Sequence, residues 1–103
     1  MAGRIRDGDI AAVRERVRLD EVIGEYVALR PAGAGSLKGL CPFHDEKTPS
    51  MNVRPAVGVW HCFGCAAGGD AAAFLMRIEV IGFREAIERL AERIGYRLTY
   101  RSR

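Results

Sequence analysis

Apolar residues along this chain change their spacing twice, and the changes divide it into helix, ribbon and helix. Ile10, Val13 and Val17 share one face at helical spacing, and Leu19, Val22, Ile23, Tyr26 and Val27 continue an i, i+3, i+4, i+7 stripe in a second segment. Helical structure is therefore expected over about 9–27, with Asp9 as its N-cap. Pro31, Gly33 and Gly35 break that period, and short strand-like runs are expected at 26–30, 36–40, 50–53 and 57–63. Gly68-Gly69-Asp70 ends the extended region, and Asp70 is placed to cap a helix over 70–78 that buries Phe74, Leu75 and Ile78. The clearest period is the last. Phe83, Ala86, Ile87, Leu90, Ala91 and Ile94 recur with Glu and Arg between them, which predicts a helix over 83–94 stopped by Gly95. The stretch 96–103 lacks such a pattern and reads as a linker, so the chain is expected to be a fragment of a longer protein.

A length of 103 residues with 49% hydrophobic content suits one domain, 1–103, with a small core that benefits from a staple. No apolar run approaches the ~20 residues of a membrane span, and no secretory leader pattern is present, so a cytoplasmic protein without membrane contact is expected. The net charge of +3 is mildly basic; it permits nucleic-acid binding without demanding it.

The staple is visible in the cysteines. Cys41-x-x-His44 is followed after seventeen residues by Cys62-x-x-Cys65, which uses all three cysteines. Each pair sits on a turn short enough to aim two side chains at one ion, and together they supply the four N/S ligands that Zn²⁺ prefers. Four protein ligands leave no position for water or substrate, so one structural zinc per chain is expected. Strands joined by ligand-bearing turns make the fold class α+β, a zinc ribbon on a small antiparallel β-sheet with flanking α-helices, its core at 36–65.

Other uses of these residues fit less well. One disulfide would strand a thiol and ignore the paired spacing. A redox Cys62-x-x-Cys65 leaves Cys41 and His44 unexplained. His61 is a possible substitute for His44, but on an extended segment it points away from Cys62. Zinc deaminases carry His-x-Glu and a later Pro-Cys-x-x-Cys, and His44-Asp45-Glu46 with Cys62-Phe63-Gly64-Cys65 resembles this in part. Cys41 would fill the position that a catalytic hydroxide needs, and His61 stands where the proline should be.

Two longer motifs, Cys41-Pro42-Phe43-His44-Asp45-Glu46-Lys47-Thr48-Pro49-Ser50 and Trp60-His61-Cys62-Phe63-Gly64-Cys65-Ala66-Ala67-Gly68-Gly69-Asp70, closely resemble the N-terminal zinc-binding domain of bacterial DnaG-type DNA primases. The resemblance extends over essentially the whole chain, from Gly3-Arg4-Ile5 to the helix with Phe83, Ala86, Ile87, Leu90 and Ala91. It implies a module that engages single-stranded DNA template and helps a separate primase RNA polymerase domain, of the same or a neighbouring molecule, to start RNA primers. It implies as well a full-length nucleotidyltransferase that contacts the replicative helicase through a region absent here, and an isolated chain without the catalytic core. Met51 departs from the family, which commonly has Phe there; facing DNA it would remove a stacking platform, and facing the core it would fill similar volume.

The residues offer matching chemistry. Arg30, Lys38, Lys47 and Arg54 are cations for a single-strand backbone, and Trp60 is the preferred base-stacking candidate, with Phe43 and Phe63 expected to pack against the zinc turns. Asp45 and Glu46 would repel phosphate, so they are expected to accept from backbone amides of the turn and leave Lys47 as the phosphate contact. Arg14, Arg16 and Arg18 are expected to form a solvated helix face. Two other readings fit the same residues: a zinc ribbon for protein–protein contact, and the primase-like domain of a mobile element's primase-helicase.

Overall fold

The computed structural model describes residues 3–101. Seven short strands and four helices follow in the order β1 (Arg4–Ile5), α1 (Asp7–Arg16), α2 (Leu19–Gly24), β2 (Arg30–Pro31), β3 (Leu37–Gly39), β4 (Met51–Arg54), β5 (Val59–Cys62), β6 (Gly68–Gly69), α3 (Ala71–Ile78), α4 (Phe83–Ile94) and β7 (Tyr100–Arg101). Strands β2 to β6 form one antiparallel sheet in sequence order, and β1 pairs with β7 in a second.

The stretch 9–27 is two helices. Val17 leaves helical geometry at ψ 143°, and a separate α2 begins after Arg18. Asp9 is not the cap expected of it: α1 starts two residues earlier, with Arg6 as N-cap. The Asp9 carboxylate instead accepts from the Tyr96 hydroxyl at 2.7 Å and from the Thr99 hydroxyl and amide at 2.6 and 2.8 Å. That clasp, with the β1–β7 pairing, makes 96–101 part of the fold where a linker was expected; Ser102 and Arg103 lie outside the described residues. Of the run 26–30 only Arg30 enters a strand, because Tyr26 and Val27 still bond back to the Ile23 carbonyl. Gly68-Gly69, expected to end the ribbon, is its fifth strand. A Cβ on Gly68 would lie 2.9 Å from the Trp60 carbonyl oxygen, so only glycine lets the backbone approach β5 this closely.

Helix ends follow local chemistry where caps exist. Asp70 Oδ1 accepts from the Ala73 amide at 2.9 Å and opens α3. Gly95 closes α4 in the left-handed conformation, φ 70°. The helices cover one face of the sheet. Met51 and Val53 on β4 and Trp60 on β5 point into them and meet Val22, Ile23, Phe74, Ile87 and Leu90 in one buried cluster. Trp60 and Phe74 within the cluster and Phe43 packed against it lie 5.5 to 5.6 Å apart, tilted or edge to face, and Arg77 covers Phe43 at 4.8 Å. Met51 is 0% exposed, so the departure from the family's aromatic is a change of core filling and removes nothing from the outer surface.

Candidate metal centre and the open face of the sheet

Cys41 follows the end of β3 and Cys62 ends β5, so the strand pairing carries the two ligand turns to the same end of the sheet. One ligand atom from each of Cys41, His44, Cys62 and Cys65 lies within 4.8 Å of every other. The Cys41 and Cys65 sulfurs are 3.8 Å apart, and His44 Nε2 is 3.3 Å from Cys62 Sγ. A tetrahedron with Zn–S bonds of ~2.3 Å has edges of about 3.8 Å, so the donor set has the size and chemistry of a zinc site. Gly64 permits the closure: a Cβ there would sit 2.8 Å from His44 Cε1.

The thiols by themselves are mismatched. Burial pushes Cys41 up to about 12. Burial also raises Cys62, but amide donors from Cys65 and Gly64 and the His44 ring outweigh it and bring that thiol to about 7. The polypeptide thus prepares one thiolate and leaves another strongly protonated, and a divalent cation, which deprotonates a coordinating thiol outright, supplies the missing charge. All three cysteines are free of disulfides. With Cys41 inside the cluster the coordination shell is closed, which removes the deaminase reading, and His61 stays outside it on the other face of β5.

Strand alternation sets what the other face presents. Met51, Val53, Trp60 and Cys62 point inward, so Asn52, Arg54, Val59 and His61 point outward. The register aligns Arg30, Lys38, Asn52, His61 and Gly68 in one row across five strands. Arg30, Lys38 and Arg54 are exposed on this face, and Lys47 is exposed in the ligand loop outside the strands. Phe63, expected to pack against the zinc turn, is 75% exposed, with its ring 4.7 Å from that of His61.

Trp60 has to be withdrawn as a stacking residue. It is 1% exposed, and its indole N–H is spent on the Asp70 carbonyl at 2.8 Å. The signal was available in parity: positions 60 and 62 share a face, so a Cys62 that turns to the metal takes Trp60 inward and sends His61 and Phe63 out. Arg14, Arg16 and Arg18 are also less free than a solvated face implies, since Arg14 pairs with Asp70 at 3.1 Å, Arg16 covers Tyr96 and Arg18 meets Asp20.

Comparison with known proteins agrees with this geometry. Residues 5–103 match the CHC2 zinc finger family. The chain is 63% identical over 98 residues to a DNA primase of Mycolicibacterium smegmatis, covering 95% of this chain and 15% of that protein. A DNA primase of Geobacillus stearothermophilus is 52% identical over 99 residues, 96% of this chain and 16% of that one. The crystal structure of the Aquifex aeolicus primase, comprising zinc-binding and RNA polymerase domains, superposes with a TM-score of 0.83 at 37% identity over 96% of this chain and 23% of that one. The chain therefore spans about one sixth of the length of the curated relatives it matches. With four ligands gathered on two sheet turns and this match along nearly its whole length, the chain belongs to the CHC2 zinc finger family, the zinc-binding domain of DnaG-type DNA primases.

Proposed function

We propose that this chain is the single-stranded DNA template recognition module of a replicative DNA primase. The observation that carries the reading is the open sheet face: Arg30, Lys38 and Arg54 share it with the paired rings of His61 and Phe63. Cations spaced along a flat surface neutralise successive phosphates, and an exposed aromatic ring gives an unpaired base a stacking partner that tolerates any sequence. Lys47 extends the positive surface toward the zinc turn. The zinc acts at one remove, by fixing the strand ends that hold this face in place.

Primer synthesis requires metal ions clamped between grouped carboxylates and nucleotide phosphates. Among the described residues the sole cluster able to hold a metal is the Cys₃His set. The isolated chain therefore makes no primer. It brings template to a primase RNA polymerase domain, of its own or a neighbouring molecule, and raises template-dependent initiation there; contact with the replicative helicase falls to other regions of the protein.

Fluorescence anisotropy of a labelled single strand over a salt series tests the face. Lys38→Ala or Arg54→Ala lowers the salt slope by roughly 0.7 per lost phosphate contact, and Phe63→Ala weakens binding by ~1–3 kcal/mol, with zinc content unchanged in all three. Affinity and salt slope equal to wild type in all three metal-loaded variants would move the DNA surface elsewhere.

A further inference from the structure

One charged group beside the zinc centre is used neither as a ligand nor on the open face. Glu46 lies two residues after His44, and its side chain is 9% exposed. Its Oε2 accepts from the Cys41 amide at 2.8 Å and from the Ser50 amide at 3.1 Å, so a single oxygen ties the first ligand to the residue that leads into β4. Its Oε1 has no hydrogen-bond donor among the described residues. That oxygen stands 3.1 Å from His44 Nε2, without the alignment of a hydrogen bond, and Nε2 is the ring nitrogen that faces Cys62 Sγ. Opposite is Gly64, where a Cβ would approach the same oxygen to 3.4 Å.

A buried carboxylate oxygen without a donor is costly unless a positive charge faces it. His44 is the one ligand in the set that would bind as a neutral group, so on its side a bound ion's charge would be least screened by thiolate. Glu46 Oε1 occupies that side.

We propose that Glu46 is a positioning residue of the zinc centre, clamping the Cys41–His44 turn through Oε2 and holding the ion through the charge on Oε1. The two roles separate by substitution. Glu46→Gln keeps a carbonyl oxygen for the Cys41 and Ser50 amides and replaces the charged Oε1 with a neutral NH₂ group, whereas Glu46→Ala loses both.

The test is zinc transfer from the loaded 103-residue chain to an excess of a chromophoric chelator, with the visible absorption of the Co²⁺-substituted protein as a second readout. Glu46→Gln is expected to release zinc roughly ten-fold faster with tetrahedral Co²⁺ bands retained, and Glu46→Ala faster again with the bands altered. Because Oε1 is buried, added salt should leave most of the gap between wild type and Glu46→Gln in place. Release from Glu46→Gln at the wild-type rate would overturn the proposal, and this variant decides the matter even if Glu46→Ala fails to fold.

Discussion

The Trp60 indole N–H donates to the main-chain carbonyl of Asp70 at 2.8 Å, which fastens the ribbon strand β5 to the residue that caps α3. Asp70 is thus held from three directions, since its side chain also caps Ala73 and pairs with Arg14. The ribbon and the helical layer meet in this one residue, and Trp60 is a part of that joint.

Substitution at Trp60 is therefore expected to act on stability. Trp60→Ala should cost about 3–5 kcal/mol by leaving a cavity against Phe43 and Phe74. Trp60→Phe should cost less, losing volume and the bond to Asp70, and the folded fraction should bind single-stranded DNA with wild-type affinity. Denaturant unfolding and anisotropy on the same samples check this; a folded Trp60→Phe with much weakened DNA binding would return the residue to the DNA surface.

Removal of zinc should unfold the ribbon, because the sheet's ligand end is otherwise closed only by turns and a core this small has little reserve. Chelation is expected to abolish the cooperative thermal transition seen by circular dichroism, and Cys62→Ser should reproduce that loss. A chelated protein with an unchanged transition would contradict a structural metal.

All three tyrosines donate to carboxylates: Tyr26 to Glu79 at 2.6 Å, Tyr96 to Asp9 at 2.7 Å and Tyr100 to Glu88 at 2.9 Å. These bonds, with burial and the carboxylate charge added, raise each hydroxyl above its ordinary value of 10.0. A group whose folded value is raised stabilises fully below its unfolded value and ceases to do so as pH climbs through the folded one. The tyrosine contribution to stability is thus complete below pH 10 and declines above it, while the Asp9 and Glu79 carboxylates, lowered by the same bonds, withdraw theirs only at acid pH. Tyrosinate absorbance should rise at higher pH in the native protein than in denaturant, and Tyr96→Phe should remove part of that alkaline decline.

Val80, in the turn between α3 and α4, is 87% exposed and holds φ 55°. A β-branched residue in left-handed backbone is strained by roughly 1–2 kcal/mol, and burial offers nothing in return here. Val80→Gly should stabilise the fold by about 1 kcal/mol, which for a chain of this length is a rise of roughly 4–8 °C in Tm. A lower Tm would mean that Val80 makes stabilising contacts that its exposure conceals.

Some features were legible because they depend on near neighbours in sequence. The Cys41-x-x-His44 and Cys62-x-x-Cys65 turns specify a zinc set through spacing alone. Asp70 and Gly95 terminate helices through their own side chain or their lack of one, and the α4 stripe carries its period unaided. Asp9 shows the limit. It has the chemistry of a cap, but Tyr96 and Thr99, distant in sequence, compete for the same carboxylate and win with three hydrogen bonds. The pairing of β1 with β7 was equally hidden, since two-residue strands carry no period.

By itself, then, the sequence determined the metal, the ligands, the α+β ribbon class and the family, all of which rest on residue types at short fixed spacings. Strand parity in the sequence already groups Trp60 with Cys62 and Phe63 with His61; only the tertiary structure decided that the helices cover the face of Trp60. Trp60 and Phe63 are both large aromatic residues on either side of Cys62. The pairing of β5 with β4 and the turn of Cys62 toward the metal place Trp60 against Phe74 and leave Phe63 beside His61 on the open face. Facing is a property of strand register and of what packs on each side, and both depend on contacts between segments that the linear order does not specify.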